Sequence, residues 1–211
     1  MPLFYQQHIN QNTRLAVWKI EEAEQFFSES IPIQTNITHP NKRLQHLAGR
    51  YLLRYLFPAF PYEEILIADT KKPYLQNETF HFSISHCNDY VAAIVSTNER
   101  VGIDLENQHE KAKKVQHKFI TEEEKHLLQK LSQNIPESNI PTLIWAVKET
   151  MFKWNGKSEI DFKTMLLIEL SEPIKSEGSF QSIIKSNEND IKLKVNYKVL
   201  KEFCLAYSHT A

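Results

Sequence analysis

The sequence predicts an α+β fold made of two pseudo-symmetric subdomains, each with a helix packed on a mostly antiparallel sheet. In both halves of the chain, helix-period segments are followed by short β-rich segments that turns separate. The length of 211 residues, with 41% apolar, allows one large core or two small ones. We therefore expect an N-terminal subdomain over residues 1–98 and a C-terminal subdomain over residues 99–211.

The first half is predicted to contain strands at 14–20, 63–70, 80–86, 90–96 and 101–106, and helices at 21–30 and 41–60. The helix over 41–60 has Leu44, Leu47 and Tyr51 at helical spacing, and Pro58 favours its end. The last three strands are separated by only a few residues, which predicts antiparallel pairing through hairpins.

The second half is predicted to contain a helix that begins at Thr121, a helix over 145–154, and strands at 164–170, 179–186, 190–200 and 202–208. Thr121 and Glu124 have the spacing of a capping box. Residues 134–141 are expected to form a loop. The segment Asn155-Gly156 favours the end of the helix over 145–154.

Composition excludes several classes of protein. The net charge of -1 gives no basic field for general nucleic-acid or membrane-surface binding. Cys87 and Cys204 form no CxxC motif, the N-terminus lacks a signal-peptide pattern, and no apolar run approaches about 20 residues. We therefore expect a cytoplasmic protein. Only four glycines are present, and no glycine-rich phosphate loop occurs.

The segment "VGIDLE" (101–106) carries two carboxylates on one face of a predicted strand. Asp104 and Glu106 are two residues apart, so they lie about 7 Å apart on the same side. Such a pair can converge on a hard cation, and Mg²⁺ prefers oxygen ligands. The alternative interpretation is an exposed acidic strand face.

The segment "WAVKETMFKW" (145–154) reads as a buried helix that nevertheless carries charges. Trp145, Glu149 and Lys153 share one sector, and most of the remaining surface is apolar. A carboxylate in such surroundings needs a partner or a metal. Glu149 can pair with Lys153 at i, i+4; alternatively, Glu149 completes a three-carboxylate metal shell and Lys153 faces an anion. Lys148 has no assigned role.

Further polar residues in the first half suit an anionic ligand. Ser85 and His86 end the strand "FSISH", where a histidine can bind phosphate or move a proton. Lys72 and the helical pair Arg43 and Arg50, one heptad apart, add positive charge. A structural histidine and a solvated basic face are the alternative interpretations. Together these residues indicate a magnesium site with several cations for a polyphosphate ligand.

The motifs "FSISH", "VGIDLE" and "WAVKETMFK", in this order, resemble the 4'-phosphopantetheinyl transferase superfamily. The resemblance is to its larger, two-subdomain type, which activates surfactin synthetase and similar synthetases. Lys72-Pro73 also fits, and the similarity extends over residues 42–160. Three positions depart from the family pattern: Gln45 where some relatives have arginine, Cys87 where serine is common, and "GKS" at 156–158 in place of "GKG".

The resemblance implies that coenzyme A binds in a cleft between the subdomains, with Mg²⁺ at its pyrophosphate. The implied metal ligands are Asp104, Glu106 and Glu149. The implied catalytic residues are Glu149, Lys153 and His86. The residues implied to hold coenzyme A are Arg43, Arg50, Lys72, Ser85, His86 and Lys153. Because of Gln45, either Arg43 or Arg50 takes the nucleotide phosphate.

The implied reaction transfers the 4'-phosphopantetheine arm of coenzyme A to a serine of an apo acyl or peptidyl carrier protein and releases 3',5'-ADP. The carrier would serve fatty-acid, polyketide or nonribosomal peptide biosynthesis. The enzyme is expected to be a monomer without nucleic-acid or membrane partners. The lysines of the charged stretch 107–120 are candidates for carrier contact; a solvated loop is the alternative. Two alternative functions are a Mg-dependent hydrolase of coenzyme A-like phosphodiesters and a non-catalytic module that binds coenzyme A or carrier protein.

Overall fold

The structure is a computed structural model that describes residues 2–31, 37–69, 72–107, 109–132 and 135–210. Its helices are α1 (Glu24–Ser28), α2 (Pro40–Leu56), α3 (His109–Val115), α4 (Glu122–Leu131) and α5 (Asn139–Asn155). Its strands are β1 (Leu3–His8), β2 (Thr13–Lys19), β3 (Leu66–Ile67), β4 (Pro73–Tyr74), β5 (His81–Cys87), β6 (Tyr90–Ser96), β7 (Arg100–Glu106), β8 (Leu166–Glu169), β9 (Glu177–Ile184), β10 (Ile191–Val199) and β11 (Cys204–Thr210). The predicted α+β class with antiparallel sheets is confirmed. None of the described helices is long and apolar enough to cross a membrane.

The chain divides into two compact units, of which the first extends to Val101. In its sheet the strands are ordered β1-β2-β6-β5, and all pairings are antiparallel. The helix α2 packs on this sheet through Leu47, Leu52 and Leu53, which are fully buried. This packing gives the first unit its own hydrophobic core.

The second unit covers Gly102–Thr210. Its sheet has the order β7-β11-β10-β9-β8, and α5 packs across β11 and β10. Val147 and Met151 of α5 are fully buried, and they belong to the same core as Val195 of β10. The sheet and α5 therefore form the body of this unit.

Two helix ends in the second unit, the beginning of α4 and the end of α5, follow local sequence signals. The predicted capping box is confirmed: the Thr121 hydroxyl accepts from the Glu124 amide, and the Glu124 carboxylate accepts from the Thr121 amide. The predicted end of α5 is confirmed at Gly156, whose φ of 74° is the left-handed conformation that glycine adopts at little cost. The beginning of α5 differs, because Asn139 already lies in the helix where a loop over 134–141 was predicted.

The structure differs from the sequence analysis at three strands. The strand β7 does not continue the hairpin of β5 and β6 but lies beside β11 in the second sheet. The strand predicted at 63–70 consists of β3 alone, preceded by a single 3-10 turn at Tyr62–Glu64. The strand β1 was not predicted, because polar Gln6, Gln7 and His8 at its end mask its alternation.

Candidate active site

Asp104 lies on β7 in a buried position. Asp104 is only 5% exposed, whereas Glu106 is half-buried. An exposed acidic strand face is therefore the wrong interpretation for Asp104. A buried carboxylate needs a compensating charge or hydrogen bonds, because desolvation penalises its ionised form.

Lys153 of α5 provides that charge. Its ammonium donates to Asp104 Oδ1 at 2.7 Å and to the Ile103 carbonyl oxygen at 3.2 Å. The sequence favoured either an i, i+4 pair with Glu149 or contact with an anion. The structure instead pairs Lys153 with a carboxylate on the neighbouring strand, 49 residues away in sequence.

Glu149 lies close enough to these groups for their charges to affect it. Burial, and next the charge of Asp104, raise the pKa of the Glu149 carboxyl to about 7. Lys153 acts in the opposite direction, and Glu106 adds a smaller repulsion. The structure therefore brings together Asp104, Glu106, Glu149 and Lys153 in one unit, and we call these four residues the acidic cluster.

The raised pKa of Glu149 predicts a pH-dependent stability. Between pH 4.5 and about 7 the folded protein keeps a proton on Glu149 that the unfolded chain has lost. The free energy of unfolding therefore falls as the pH rises through this window, by on the order of 2 kcal/mol after allowing for partial exposure. Urea denaturation of the wild type and of Glu149→Gln at pH 4.5 and 8, without divalent ions, measures this difference. Equal pH dependence in the two proteins would contradict the prediction.

Gly102 allows α5 to approach β7 closely. A Cβ atom at this position would lie 2.5 Å from the Thr150 carbonyl oxygen and 3.0 Å from the Trp154 amide nitrogen. Both neighbours are backbone atoms of α5, so no rotamer change can make room. Sequence reasoning missed this role, although the glycine of "VGIDLE" was the available signal.

The donor chemistry of the acidic cluster fits magnesium. Its three carboxylates are hard oxygen ligands of the kind that Mg²⁺ takes, and their mutual repulsion favours a bound cation. Among the residues that the structure describes, however, no group of three or more His, Cys, Asp or Glu side chains is arranged so that it could hold a metal ion. The three-carboxylate shell of Asp104, Glu106 and Glu149 stays a prediction.

Lys148, which had no role in the sequence analysis, is fully buried in the second unit. Its ammonium donates to the Phe119 carbonyl oxygen at 2.6 Å and forms an ion pair with Glu124 at 2.9 Å. Burial lowers the pKa of Lys148, and the nearby Glu124 carboxylate opposes this effect. Lys148 therefore faces the interior, on a different side of α5 from the half-buried Glu149.

Ser85 and His86 lie on β5 in the first unit. Neighbouring residues of a strand point to opposite faces, and here Ser85 is buried while His86 is exposed. The family resemblance implied that both residues hold phosphates of coenzyme A. The structure places His86 at the surface of its unit and Ser85 away from solvent.

The two arginines of α2 differ in their surroundings. The Arg43 guanidinium pairs with Glu24 at 2.8 Å, whereas Arg50 contacts the His46 ring at 3.1 Å. Burial, and next the charge of Arg50, lower the pKa of His46 to about 4, so the ring is neutral at pH 7. Arg50 therefore faces a neutral neighbour, while the charge of Arg43 is balanced by a carboxylate.

Lys72 lines a surface cavity of the first unit together with Arg100, His81 and Tyr74. Burial, and next the charge of Arg100, lower the pKa of the Lys72 ammonium to about 8. Lys72 was predicted as a site residue and Arg100 was not, because the two are 28 positions apart in sequence and only the fold brings them to one cavity.

Comparisons with known proteins indicate the same family as the motifs "VGIDLE" and "WAVKETMFK". The family model of the 4'-phosphopantetheinyl transferase superfamily matches residues 100–208, just over half of the chain. The chain is also 35% identical over 113 residues to a protein of Aneurinibacillus migulanus named 4'-phosphopantetheinyl transferase gsp. The alignment covers 53% of this chain and 46% of that protein, so the chain spans about half the length of the curated relative it matches.

Proposed function

The chain belongs to the 4'-phosphopantetheinyl transferase superfamily, and we propose on this premise that it transfers the 4'-phosphopantetheine arm of coenzyme A to a serine of an apo carrier protein. The acidic cluster is the observation that carries the proposal. Carboxylates on β7 and α5 lie with an ammonium in one unit, within the region that the family model covers. Such a cluster suits a metal-dependent reaction of a pyrophosphate.

In this proposal Asp104, Glu106 and Glu149 would hold a magnesium ion. When bound, the ion neutralises negative charge on the pyrophosphate and on the leaving group. Lys153 supplies a second positive charge to the phosphates, and its position on α5 is already fixed by Asp104. Charge neutralisation and alignment contribute most of the catalysis in phosphoryl-type transfer.

Glu149 is proposed as the general base. The serine oxygen attacks the β-phosphorus, its proton passes to Glu149, and the bridging P–O bond breaks to release 3',5'-ADP. Asp104 is engaged by Lys153, and Glu106 accepts the Asn107 amide at 2.8 Å. Glu149, which is half-buried, is therefore the carboxylate of the cluster that a serine hydroxyl is best able to approach.

The first unit is proposed to supply the remaining contacts to coenzyme A. His86 is exposed and able to donate to a phosphate, and Lys72 adds a cation. Arg50 is the better candidate for the nucleotide phosphate, because Glu24 already balances the charge of Arg43. Ser85, which adjoins His86 on β5, is also proposed to contact coenzyme A.

The carrier protein is proposed to contact the lysines around α3. The lysines of this surface are Lys111, Lys113, Lys114 and Lys118, and all four are exposed. Carrier proteins are expected to be acidic around the modified serine, so a basic surface favours their encounter. We further propose that the enzyme acts as a cytoplasmic monomer.

Incubation with coenzyme A, Mg²⁺ and a panel of apo carrier proteins tests the proposed function. We expect a carrier serine to gain the phosphopantetheine arm, seen by mass spectrometry, with 3',5'-ADP released in equal amount. The same mixture with EDTA is the control, and it is expected to show no transfer. Release of 3',5'-ADP without an acceptor would instead identify a hydrolase, and binding without turnover would identify a non-catalytic module.

A further inference from the structure

We propose that Lys148 and Glu124 are positioning residues, whose buried ion pair sets the placement of α5 and so keeps Glu149 and Lys153 aligned with Asp104. The ion pair and the residues that it is proposed to align all lie in the second unit. Its consequence for turnover rests on the proposed function.

The ion pair lies in a fully connected polar network. Both Glu124 carboxylate oxygens are 2.9 Å from the Lys148 ammonium. One of them also accepts from the Thr121 amide at 2.9 Å, and the other accepts from the Ile168 amide at 3.3 Å. The Lys148 ammonium donates in addition to the Phe119 carbonyl oxygen. The network therefore ties α5 to the beginning of α4 and to β8.

The surroundings of α5 explain why these polar contacts are needed to fix the rotation of the helix. Most of the helix is buried among apolar side chains, including Val147 and Met151. Apolar packing is non-directional, so it holds the helix in the core without specifying its rotation as sharply as hydrogen bonds do. Lys148 fixes one side of the helix, and the Thr150 hydroxyl, which donates to the Ala206 carbonyl oxygen at 3.1 Å, fixes another.

The alignment of the acidic cluster depends on this placement. Lys148 directly precedes Glu149, and Lys153 follows little more than one turn later. A rotation or shift of α5 therefore moves both functional side chains together, relative to Asp104 on β7. A buried ion pair contributes little net stability compared with an apolar pair of similar size, so its value lies in specifying one arrangement.

A double variant separates positioning from stability. Lys148→Met alone leaves the Glu124 charge buried without its ammonium, and folding is expected to suffer. Lys148→Met combined with Glu124→Gln removes both charges and keeps an acceptor for the Thr121 amide. Ile184→Ala on β9 is the matched control, because it destabilises the same core without touching the ion pair. Should the double variant not fold, Glu124→Gln alone takes its place in the same comparison.

The first readout is the set of backbone amide NMR shifts of β7, measured at a temperature where all variants are folded. We expect shifts at Gly102, Ile103 and Asp104 in the double variant and none there in Ile184→Ala. Shifts confined to the surroundings of Phe119, Thr121 and Ile168 would overturn the proposal. This readout depends on no reaction, so it decides the inference even if the wild type transfers nothing.

The second readout is transfer from coenzyme A to apo carrier protein at the same temperature. We expect the double variant to lose at least tenfold in kcat, while Ile184→Ala stays within about twofold of the wild type. Equal turnover in the double variant and in the wild type would show that the pair is merely structural. Absence of transfer by the wild type would contradict the proposed function and leave the NMR result to stand by itself.

Discussion

Replacing Glu149 by glutamine is expected to lower the rate of phosphopantetheine transfer by about 10³-fold while the protein stays folded. Glutamine has nearly the same size but cannot accept the serine proton, and positioned acid–base groups contribute roughly 10²- to 10⁴-fold. The free energy of unfolding at pH 8 is expected to rise, because the ionised carboxylate is penalised by burial and by Asp104. Single-turnover mass spectrometry and urea denaturation measure the two effects.

The exposed Glu137, which lies just before α5, provides the control for this change. Glu137→Gln alters the net charge equally and is expected to leave transfer unchanged. Calorimetric titration with Mg²⁺ separates the two roles proposed for Glu149. Weaker magnesium binding in Glu149→Gln indicates a ligand, whereas unchanged binding with lost transfer indicates a base. Near-normal transfer by Glu149→Gln would eliminate both roles.

Gly102→Ala is expected to destabilise the second unit by about 3 kcal/mol and to abolish most of the transfer activity. The new methyl group would lie 2.5 Å from the Thr150 carbonyl oxygen, so α5 and β7 have to separate. Overpacking of a close-packed core typically costs roughly 1–3 kcal/mol. The separation also moves Lys153 away from Asp104, whose contact is 2.7 Å. Urea denaturation and the transfer assay measure these effects.

Gly178→Ala on β9 is the matched control for this substitution. Its methyl group would meet the Tyr197 hydroxyl at 2.9 Å, which is also too close. The obstacle here is a side chain rather than the backbone of α5, so we expect a smaller loss of stability and normal transfer. If Gly102→Ala were as stable and active as Gly178→Ala, close approach of α5 to β7 would not be a requirement of the site.

The parts of the fold that the sequence predicted correctly depend on local signals. The Thr121–Glu124 capping box and the stop at Gly156 involve residues within one turn of each other, so their spacing is readable. The pairing of β7 with β11 joins segments about 100 residues apart, and the short gap after β6 gave no sign of it. Hairpin reasoning therefore assigned β7 to the wrong sheet.

The same distinction applies to the candidate site. The residue types of the acidic cluster were predictable, because Asp104, Glu106, Glu149 and Lys153 stand in recognisable motifs. Their partners were not predictable: Lys153 pairs across 49 residues, and Lys148 with Glu124 across 24. Ion pairs between separate elements follow from how a helix is rotated on its sheet, and no local spacing encodes that rotation.

The double role of Glu124 has a consequence for how the second unit opens. Helix ends ordinarily fray independently of the rest of a protein, with little free-energy cost. Here the carboxylate that caps the beginning of α4 is the same carboxylate that neutralises Lys148 in the core. Fraying of α4 would leave the buried Lys148 ammonium without its carboxylate partner. We therefore expect this helix end to unfold only together with α5 and β8. Amide hydrogen exchange around Thr121 thus reports on the integrity of the entire unit.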